Sequence, residues 1–336
     1  MSDISYLQSA VIGLLQGATE LFPVSSLGHS VLVPALLGGS WQHLVTESAT
    51  ETSESSPYLA FIVALHVATA VALLWFFRSD WVRIIRAFFT TLRTRRVETS
   101  TERLAWLIVM ATIPVGVTGL VFEHLFRTLF AKPLAAAIFL TINGLILLLG
   151  ERLRRRAETH SARAVEQADE QADELEPHLA ASEGRTAVAQ GKGLDTPAMP
   201  GAGAATHSRQ LSTLAYREAA VIGLSQTLAL FAGISRSGIT MVAGLARGLD
   251  HEDAARFSFL LATPVILAAG VLKLPTLAGP AGAHIHGQVV VGMLTAGAAA
   301  YLSVRYLVRY FETRTLTPFA IYCLVAGVAC TLRFAL

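Results

Sequence analysis

The chain has 336 residues, of which 53% are hydrophobic and only 15% are charged, and its formal net charge is +2. Ordinary soluble domains carry about 25% charged residues, so this composition argues against a soluble globular protein. The small net charge gives no sign of a nucleic-acid partner, and none is expected.

The first apolar stretch, residues 5–39, is interrupted near its middle by Gly, Pro and Ser. Non-helical backbone at membrane depth is tolerated only where protein or a wet cavity satisfies its amides. We therefore predict a re-entrant helix–loop–helix here rather than one continuous span. Residues 40–57 follow, with three glutamates and no basic residue.

Three uninterrupted apolar runs come next, at residues 58–77, 104–122 and 134–150. Each has roughly the 20 residues that a helix needs to cross the core of a bilayer. Together with the preceding hairpin they form a first predicted membrane repeat, residues 1–156.

Residues 157–210 differ in composition, being rich in Ala, Glu, Gln and Gly with little periodicity. Such a segment buries too little apolar area to fold, so we predict a mostly disordered cytoplasmic insertion that is helical in part. A second membrane repeat, residues 211–336, again begins with a broken apolar stretch, residues 213–249. Its predicted spans are residues 255–272, 286–304 and 317–335.

Basic residues cluster in three places, at residues 78–103, 151–156 and 305–314. Short loops rich in Lys and Arg stay in the cytoplasm, so all three clusters are expected inside. The six spans then alternate without conflict, both termini lie outside, and the fold class is an all-α polytopic membrane protein. The hairpin at 5–39 enters from outside and the hairpin at 213–249 enters from inside.

The two broken stretches are related in sequence. Residues 10–30 read AVIGLLQGATELFPVSSLGHS, and residues 220–240 read AVIGLSQTLALFAGISRSGIT. At a constant offset of 210, 8 of 21 positions are identical, including Ser25 with Ser235. Because three spans separate the copies, the repeats should be inverted. Inverted repeats with broken helices place their ligand site near the midplane, where the two breaks meet.

Polar residues in the first break have the chemistry of a catalytic site. A carboxylate inside an apolar segment is costly and marks a functional site, so Glu20 is a candidate for holding a divalent cation or acting as a general base. Gln16 lies one turn earlier on the same helix face. Ser25 or Ser26 can cap the following helix. His29 lies three residues beyond Ser26, close enough to take a proton from its hydroxyl.

The second break supplies groups that suit a phosphate. Arg236 is a fixed cation whose planar donors match phosphate oxygens. Hydroxyls come from Ser235, Ser237 and Thr240, and Gly238 allows a close approach of the backbone to a ligand. In the structural alternative, Arg236 only neutralises the carboxylate of the first break.

The segments QGATELFPVSSLGH and FAGISRSGIT strongly resemble the two signature motifs of the undecaprenyl-diphosphate phosphatase family, the bacitracin-resistance type of membrane phosphatase. RFSFLLATPVILAAG and MATIPVGVTGL are similar to that family too. The resemblance covers nearly the whole chain except residues 40–57 and 157–210. It implies hydrolysis of the polyprenyl lipid undecaprenyl diphosphate, assisted by Mg²⁺ or Ca²⁺, in the bacterial plasma membrane, and it favours the outer face for catalysis.

The same resemblance implies roles for individual residues. Family members begin the first motif with Glu or Gln and place a second Glu four positions on, which here are Gln16 and Glu20. Members with two glutamates can share a metal between them; this chain has one, so Glu20 is the main expected ligand. The family's active-site serines match Ser25 and Ser26, and its histidine matches His29. Its Ser-Arg-Ser-Gly matches residues 235–238, and its following threonine matches Thr240.

Several alternatives stay open. Ser26 with His29 as its base is the preferred nucleophile, direct attack by His29 is second, and a metal-activated water is third. A transporter or flippase for a lipid-linked phosphate is the rival function, because inverted repeats and a phosphate-binding arginine would serve it equally well. A type-2 phosphatidic acid phosphatase is disfavoured, since the further motifs of that family do not occur here in the required order. His66 is interpreted as a packing residue, and the oligomeric state, homo-oligomers included, is left open.

Overall fold

The computed structural model describes residues 4–42, 57–121, 132–186, 210–278 and 285–336. These residues are almost wholly helical and include no β-strand, which confirms the predicted all-α class. The helices are α1 (Tyr6–Leu21), α2 (Ser26–Leu37), α3 (Pro57–Phe76), α4 (Arg78–Thr94), α5 (Ser100–Val121), α6 (Pro133–Thr186), α7 (Tyr216–Ser225), α8 (Arg236–Leu245), α9 (His251–Ala278), α10 (His286–Phe311) and α11 (Thr317–Ala335).

Among the described residues, five helices are long and apolar enough to cross a membrane, namely α5, α6, α9, α10 and α11. A sixth candidate is the pair α3 and α4, which qualifies jointly across a bend of 86°. Large apolar side chains such as Leu294 and Val325 point away from the protein and are about two-thirds exposed. Such outward apolar surface is expected of helices whose solvent is lipid. The chain is therefore a multi-pass membrane protein.

The two predicted hairpins are pairs of short helices with matching breaks. In the first, α1 ends at Leu21, and Ser25 adopts a left-handed backbone (φ 72°) before α2 begins. The Ser25 hydroxyl accepts a hydrogen bond from the amide of Gly28 at 3.2 Å, a helix cap. In the second, the Ser235 hydroxyl accepts from the amide of Gly238, also at 3.2 Å. The shared serine of the sequence repeat therefore has the same structural role in both copies.

Small residues allow α1 to pack closely along α10. A Cβ atom added at Gly13 would lie 2.4 Å from the carbonyl oxygen of Gly292. One added at Gly17 would lie 2.1 Å from the carbonyl oxygen of Ala296. Membrane helices depend on such close backbone approach because lipid offers no hydrophobic force to drive them together. This contact fixes the helix that leads into the first break.

We expect Gly17→Ala to destabilise the protein by about 1–3 kcal/mol, the usual cost of overpacking a close contact. Gly116→Ala is the matched control, because a Cβ at Gly116 in α5 meets no heavy atom within 4 Å. Alanine also has the better helix propensity, by about 1 kcal/mol. Thermal unfolding in detergent should therefore show a lower Tm for Gly17→Ala and an equal or higher one for Gly116→Ala. Equal Tm values for the two variants would contradict this account of the α1–α10 contact.

Several contacts bring basic segments to one end of the helix bundle. Near the end of α3, the ring of Phe76 lies 5.8 Å from that of Tyr301, one turn before Arg305. Just beyond, Asp80 Oδ1 lies 2.9 Å from Arg256 Nη2 at the start of α9. The start of the 78–103 cluster and the start of the 305–314 cluster are thus at the same end, as the predicted topology requires.

The two predicted insertions differ in how much of them is described. Of residues 40–57, positions 43–56 lie outside the described residues. Residues 152–208 form a separate unit by their contacts. Within this unit α6 is helical as far as Thr186, and 187–209 lie outside the described residues, so the predicted disorder there stays a prediction.

Candidate active site

The last turn of α1 holds a buried carboxylate surrounded by donors. Glu20 is 7% exposed. Its Oε2 accepts a hydrogen bond from Gln16 Nε2 at 2.9 Å and another from the Ser26 hydroxyl. The Nε2 of His66 lies 3.4 Å from the same oxygen. The other oxygen, Oε1, forms an ion pair with Nη2 of Arg236. Both halves of the sequence repeat therefore contribute to one polar cluster.

The guanidinium of Arg236 is only partly used by this ion pair. Its Nη1 is buried and, within the described part of the chain, has no hydrogen-bond partner. A buried donor without a partner costs about 1–3 kcal/mol, and more when it is charged. One cationic donor of Arg236 is therefore without an acceptor among the described residues, and an anionic ligand could supply that acceptor. The structural alternative, in which Arg236 only neutralises Glu20, accounts for Nη2 and not for Nη1.

The two breaks touch directly beside this cluster. The Ser25 hydroxyl accepts from the amide of Gly233 at 3.1 Å in addition to its own helix cap. A Cβ added at Gly28 would lie 2.9 Å from the Cα of Gly233. The predicted meeting of the two motifs is thus present in the structure.

The hydroxyl groups of the second break mostly turn toward the first. Ser237 donates to the carbonyl oxygen of Phe22 at 3.2 Å, and its hydroxyl lies 3.0 Å from that of Ser235. Both serines are buried. Thr240 instead donates to the carbonyl oxygen of Arg236 within α8, at 2.7 Å. The serines therefore help to join the two breaks, and the threonine hydroxyl is used inside its own helix.

The structure does not bring His29 to Ser26 as the spacing suggested. Its Nδ1 lies 2.7 Å from the carbonyl oxygen of Ser25, and its Nε2 lies 2.7 Å from the hydroxyl of Tyr322 on α11. Both ring nitrogens are thus engaged away from the Ser26 hydroxyl, which donates to Glu20 instead. Three residues of helix separate the two side chains, and the α2 backbone turns the imidazole toward α11. In this state Glu20 has the position of a base for Ser26.

Two residues at the site were not identified from the sequence. The sequence predicts a packing or interface residue at His66, yet its Nε2 faces Glu20 while its Nδ1 donates to the carbonyl oxygen of Ile62 at 2.8 Å. An ionisable side chain inside a predicted span was the signal that could have revealed it. Asn143 on α6 is completely buried and lies between the two breaks.

The amide of Asn143 bonds both breaks at once. Its Nδ2 donates to the carbonyl oxygen of Pro23 at 3.0 Å, and its Oδ1 accepts from the amide of Ser235 at 3.0 Å. Cys323 Sγ lies 3.3 Å from the same Nδ2. A side chain on a helix that belongs to neither hairpin therefore helps the serines to fix the separation of the two breaks.

We expect Asn143→Leu to lower both stability and the phosphate release that the resemblance implies. The change leaves the amide of Ser235 without this acceptor and the carbonyl oxygen of Pro23 with only the weak donor Cys323 Sγ at 3.8 Å. A buried polar group that loses its partner costs about 1–3 kcal/mol. A shift of the breaks by about 1 Å should reduce turnover roughly 100-fold. Thr118→Val is the control, since among the described residues its hydroxyl bonds only to the carbonyl oxygen of Pro114 in its own helix. An Asn143→Leu protein with wild-type turnover would show that Asn143 does not position the breaks.

Comparisons with known proteins find relatives over nearly the whole chain. The family model described as bacitracin resistance protein BacA matches residues 9–181 and 187–329. Undecaprenyl-diphosphatase 2 of Frankia alni is 70% identical over 344 residues, with 100% of both chains covered. The undecaprenyl-diphosphatase of Mycolicibacterium paratuberculosis is 56% identical over 339 residues, covering 100% of this chain and 99% of that protein. Undecaprenyl-diphosphatase 2 of Burkholderia lata is 40% identical over 320 residues, covering 95% and 93%.

Proposed function

Because the chain belongs to the family of the bacitracin resistance protein BacA, we propose that it hydrolyses undecaprenyl diphosphate to undecaprenyl phosphate and inorganic phosphate. This reaction recycles the lipid carrier of cell-wall synthesis and gives resistance to bacitracin. The observation that supports it best is the buried Nη1 of Arg236, which lacks a partner among the described residues, beside the hydrogen-bonded pair of Ser26 and Glu20.

The residues of the cluster can be given distinct tasks. Arg236 binds the terminal phosphate through Nη1 while Nη2 stays on Glu20, and its charge stabilises the transition state. Ser26 attacks the terminal phosphorus and transfers its proton to Glu20. The Ser26 Oγ–P bond forms as the bond from phosphorus to the bridging oxygen breaks, and undecaprenyl phosphate leaves with the electron pair. Water then cleaves the phosphoserine, releasing inorganic phosphate and returning the proton to Ser26.

Trapping the intermediate distinguishes this mechanism from the others considered. A rapid acid quench of the enzyme with substrate labelled in the terminal phosphate should give an acid-stable phosphoserine at Ser26. An acid-labile phosphohistidine at His29 would instead support direct attack by the imidazole. Direct attack by water would give no covalent phosphate. In a single turnover it would also add one atom of solvent oxygen to the released phosphate, with inversion at phosphorus.

The donor set also suits a divalent cation, such as Mg²⁺ or Ca²⁺. Gln16 Oε1 is buried and has no hydrogen-bond partner within the described segments, and the carboxylate of Glu20 lies beside it. No group of three or more His, Cys, Asp or Glu that could hold a metal occurs among the described residues. Mg²⁺ is often held by one or two protein oxygens together with substrate phosphates, which fits this small set. Bound there by Gln16 and Glu20, a cation would neutralise charge on the diphosphate.

The proposed topology follows the distribution of charge. The hairpins α1–α2 and α7–α8 are re-entrant and belong to inverted repeats, with both termini outside. The matching serine caps at Ser25 and Ser235 support the repeat, and the basic segments at one end of the bundle support a single cytoplasmic side. Two hairpins that enter from opposite sides place Glu20 and Arg236 within the membrane, where a lipid-linked diphosphate can reach them.

Phosphate release from undecaprenyl diphosphate by the purified protein tests the proposed function. Wild-type protein should release phosphate in detergent or nanodiscs, and Glu20→Ala and Arg236→Ala should not. Wild-type protein that releases no more phosphate than these variants would contradict the proposal and favour a transporter or flippase of the lipid carrier.

A further inference from the structure

Helix α4 leaves the helix bundle at nearly a right angle. It bends by 86° from α3 at Phe77, and it is 17 residues long. Transmembrane helices tilt by about 0–40° from the membrane normal. A helix perpendicular to α3 therefore runs closer to the plane of the membrane than to its normal.

One face of α4 is fixed to α5. Ile84 and Thr91 are buried on this face. Trp106 on α5 donates its Nε1 hydrogen to the hydroxyl of Thr91 at 2.9 Å, and its ring lies 5.2 Å from that of Phe88. The orientation of α4 about its own axis is thus determined by packing.

Beside the packed face, α4 exposes an apolar stripe at helical spacing. Its members are Val82, Ile85, Phe89 and Leu92, which are 47%, 48%, 63% and 49% exposed. The spacing of three, four and three residues aligns them along one side of the helix. A contiguous exposed apolar row of this kind marks a surface that contacts a membrane or a partner rather than water.

The next face of α4 is basic. Arg83, Arg86 and Arg93 are exposed there, and Asp80 is the one acidic residue in the sequence of α4. Asp80 Oδ1 pairs with Arg83 and with Arg256. No ion pair involves Arg86 or Arg93 within the residues that the structure describes. Two arginines therefore remain available beside the apolar stripe.

We propose that α4 is an interfacial helix that lies in the headgroup region of the bilayer and binds anionic phospholipids. The stripe enters the boundary between headgroups and acyl chains, as apolar faces of such helices do to a depth of about 5–10 Å. Arg86 and Arg93 then meet the phosphates of anionic lipids at the same level. A broken span is disfavoured, because it would place Arg83, Arg86 and Arg93 in hydrocarbon. The inference rests on α4 alone and does not require the phosphatase reaction.

Depth-dependent quenching by brominated lipids tests the position of α4. The reporters are Val82→Trp, Phe89→Trp and Leu92→Trp, each measured in full-length protein against the wild-type background of four tryptophans. Residues 82 and 92 are about 15 Å apart along the helix axis. If α4 is interfacial, the tryptophans at positions 82 and 92 should both add quenching and should lie at the same depth. Bromines near the headgroups should quench them more strongly than bromines deeper in the acyl chains. Thr90→Trp, one residue from Phe89 on the polar side, should gain much less. Different depths at positions 82 and 92, or equal quenching at 89 and 90, would overturn the proposal.

Lipid selectivity tests the arginines. The measured quantity is the preference for phosphatidylglycerol over phosphatidylcholine in nanodiscs of mixed composition. Arg86→Gln and Arg93→Gln should each lower this preference by about fivefold. The double variant Arg156→Gln/Arg163→Gln removes the same charge from residues 152–208 and should change the preference less. An unchanged preference in Arg86→Gln/Arg93→Gln would overturn the anionic-lipid part of the proposal, whatever the quenching shows.

Discussion

Glu20→Gln should lower kcat for phosphate release by about 10²–10⁴-fold, the usual contribution of a positioned general base. The Ser26 hydroxyl donates to Glu20 Oε2, so the proton that must leave Ser26 already points at this carboxylate. Glutamine keeps the size of the side chain and removes the acceptor for that proton. The loss should appear mainly in kcat, because the Nη1 of Arg236, which has no partner among the described residues, remains available to bind the substrate.

A buried glutamate elsewhere in the membrane unit provides the control. Glu151 is 3% exposed and its Oε2 lies 2.9 Å from His251 Nε2, far along the chain from the breaks. Glu151→Gln should lower the Tm and leave the turnover of the folded protein near that of the wild type. If Glu20→Gln retained more than about a tenth of wild-type kcat, the loss would be too small for a general base. Glu20 would then be only a structural partner of Arg236.

Arg236→Lys should reduce kcat/KM by about 10²–10³-fold even though the positive charge is kept, the range found when one transition-state donor is removed. The guanidinium can bond Glu20 through Nη2 and a phosphate through Nη1 at the same time. A lysine ammonium is a single point of donation and lacks this planar fork. A lysine that stays on Glu20 would leave the phosphate unbound, and one that turns to the phosphate would leave Glu20 buried without its partner.

Arg256→Lys is the matched substitution. Arg256 also pairs with a carboxylate, Asp80, through Nη2 at 2.9 Å, but it lies at the start of α9 and its side chain is 42% exposed. Its conversion to lysine should change neither kcat nor KM by more than about twofold, since exposed ion pairs contribute little, about 0–1 kcal/mol. Wild-type kcat/KM in Arg236→Lys would mean that charge alone is needed at position 236. The proposal that the guanidinium bonds Glu20 and a phosphate at the same time would then be wrong.

Much of the fold was predictable because membranes impose simple rules on sequence. Apolar length identified the spans, and the gapless repeat linked Ser25 with Ser235, which do cap their helices in the same way. The pairing of Glu20 with Arg236 followed from placing the two breaks together. These inferences depend on local pattern and on one symmetry, both of which a single sequence contains.

The remaining features depend on how helices are rotated against each other, which local pattern does not specify. His29 has the right spacing from Ser26, but its ring bonds Tyr322 instead. Asn143 and Thr141 are the two polar residues of the apolar run 134–150, and nothing in the sequence around Asn143 shows that both breaks lie beside it. The apolar stripe of α4 is visible in the sequence at positions 82, 85, 89 and 92, but the dense arginines of 78–103 led to its interpretation as a cytoplasmic loop.

The distance along the chain between Glu20 and Arg236 has a consequence for biogenesis. The two residues are 216 positions apart. At an elongation rate of about 5–20 residues per second, the arginine is synthesised roughly 10–40 s after the glutamate. In the proposed topology, the first hairpin during that interval has a membrane-embedded carboxylate without the arginine that pairs with it, a costly state in hydrocarbon. With that topology, the Glu20–Arg236 ion pair forms only after the second half has been synthesised, so the first half completes its site together with the second.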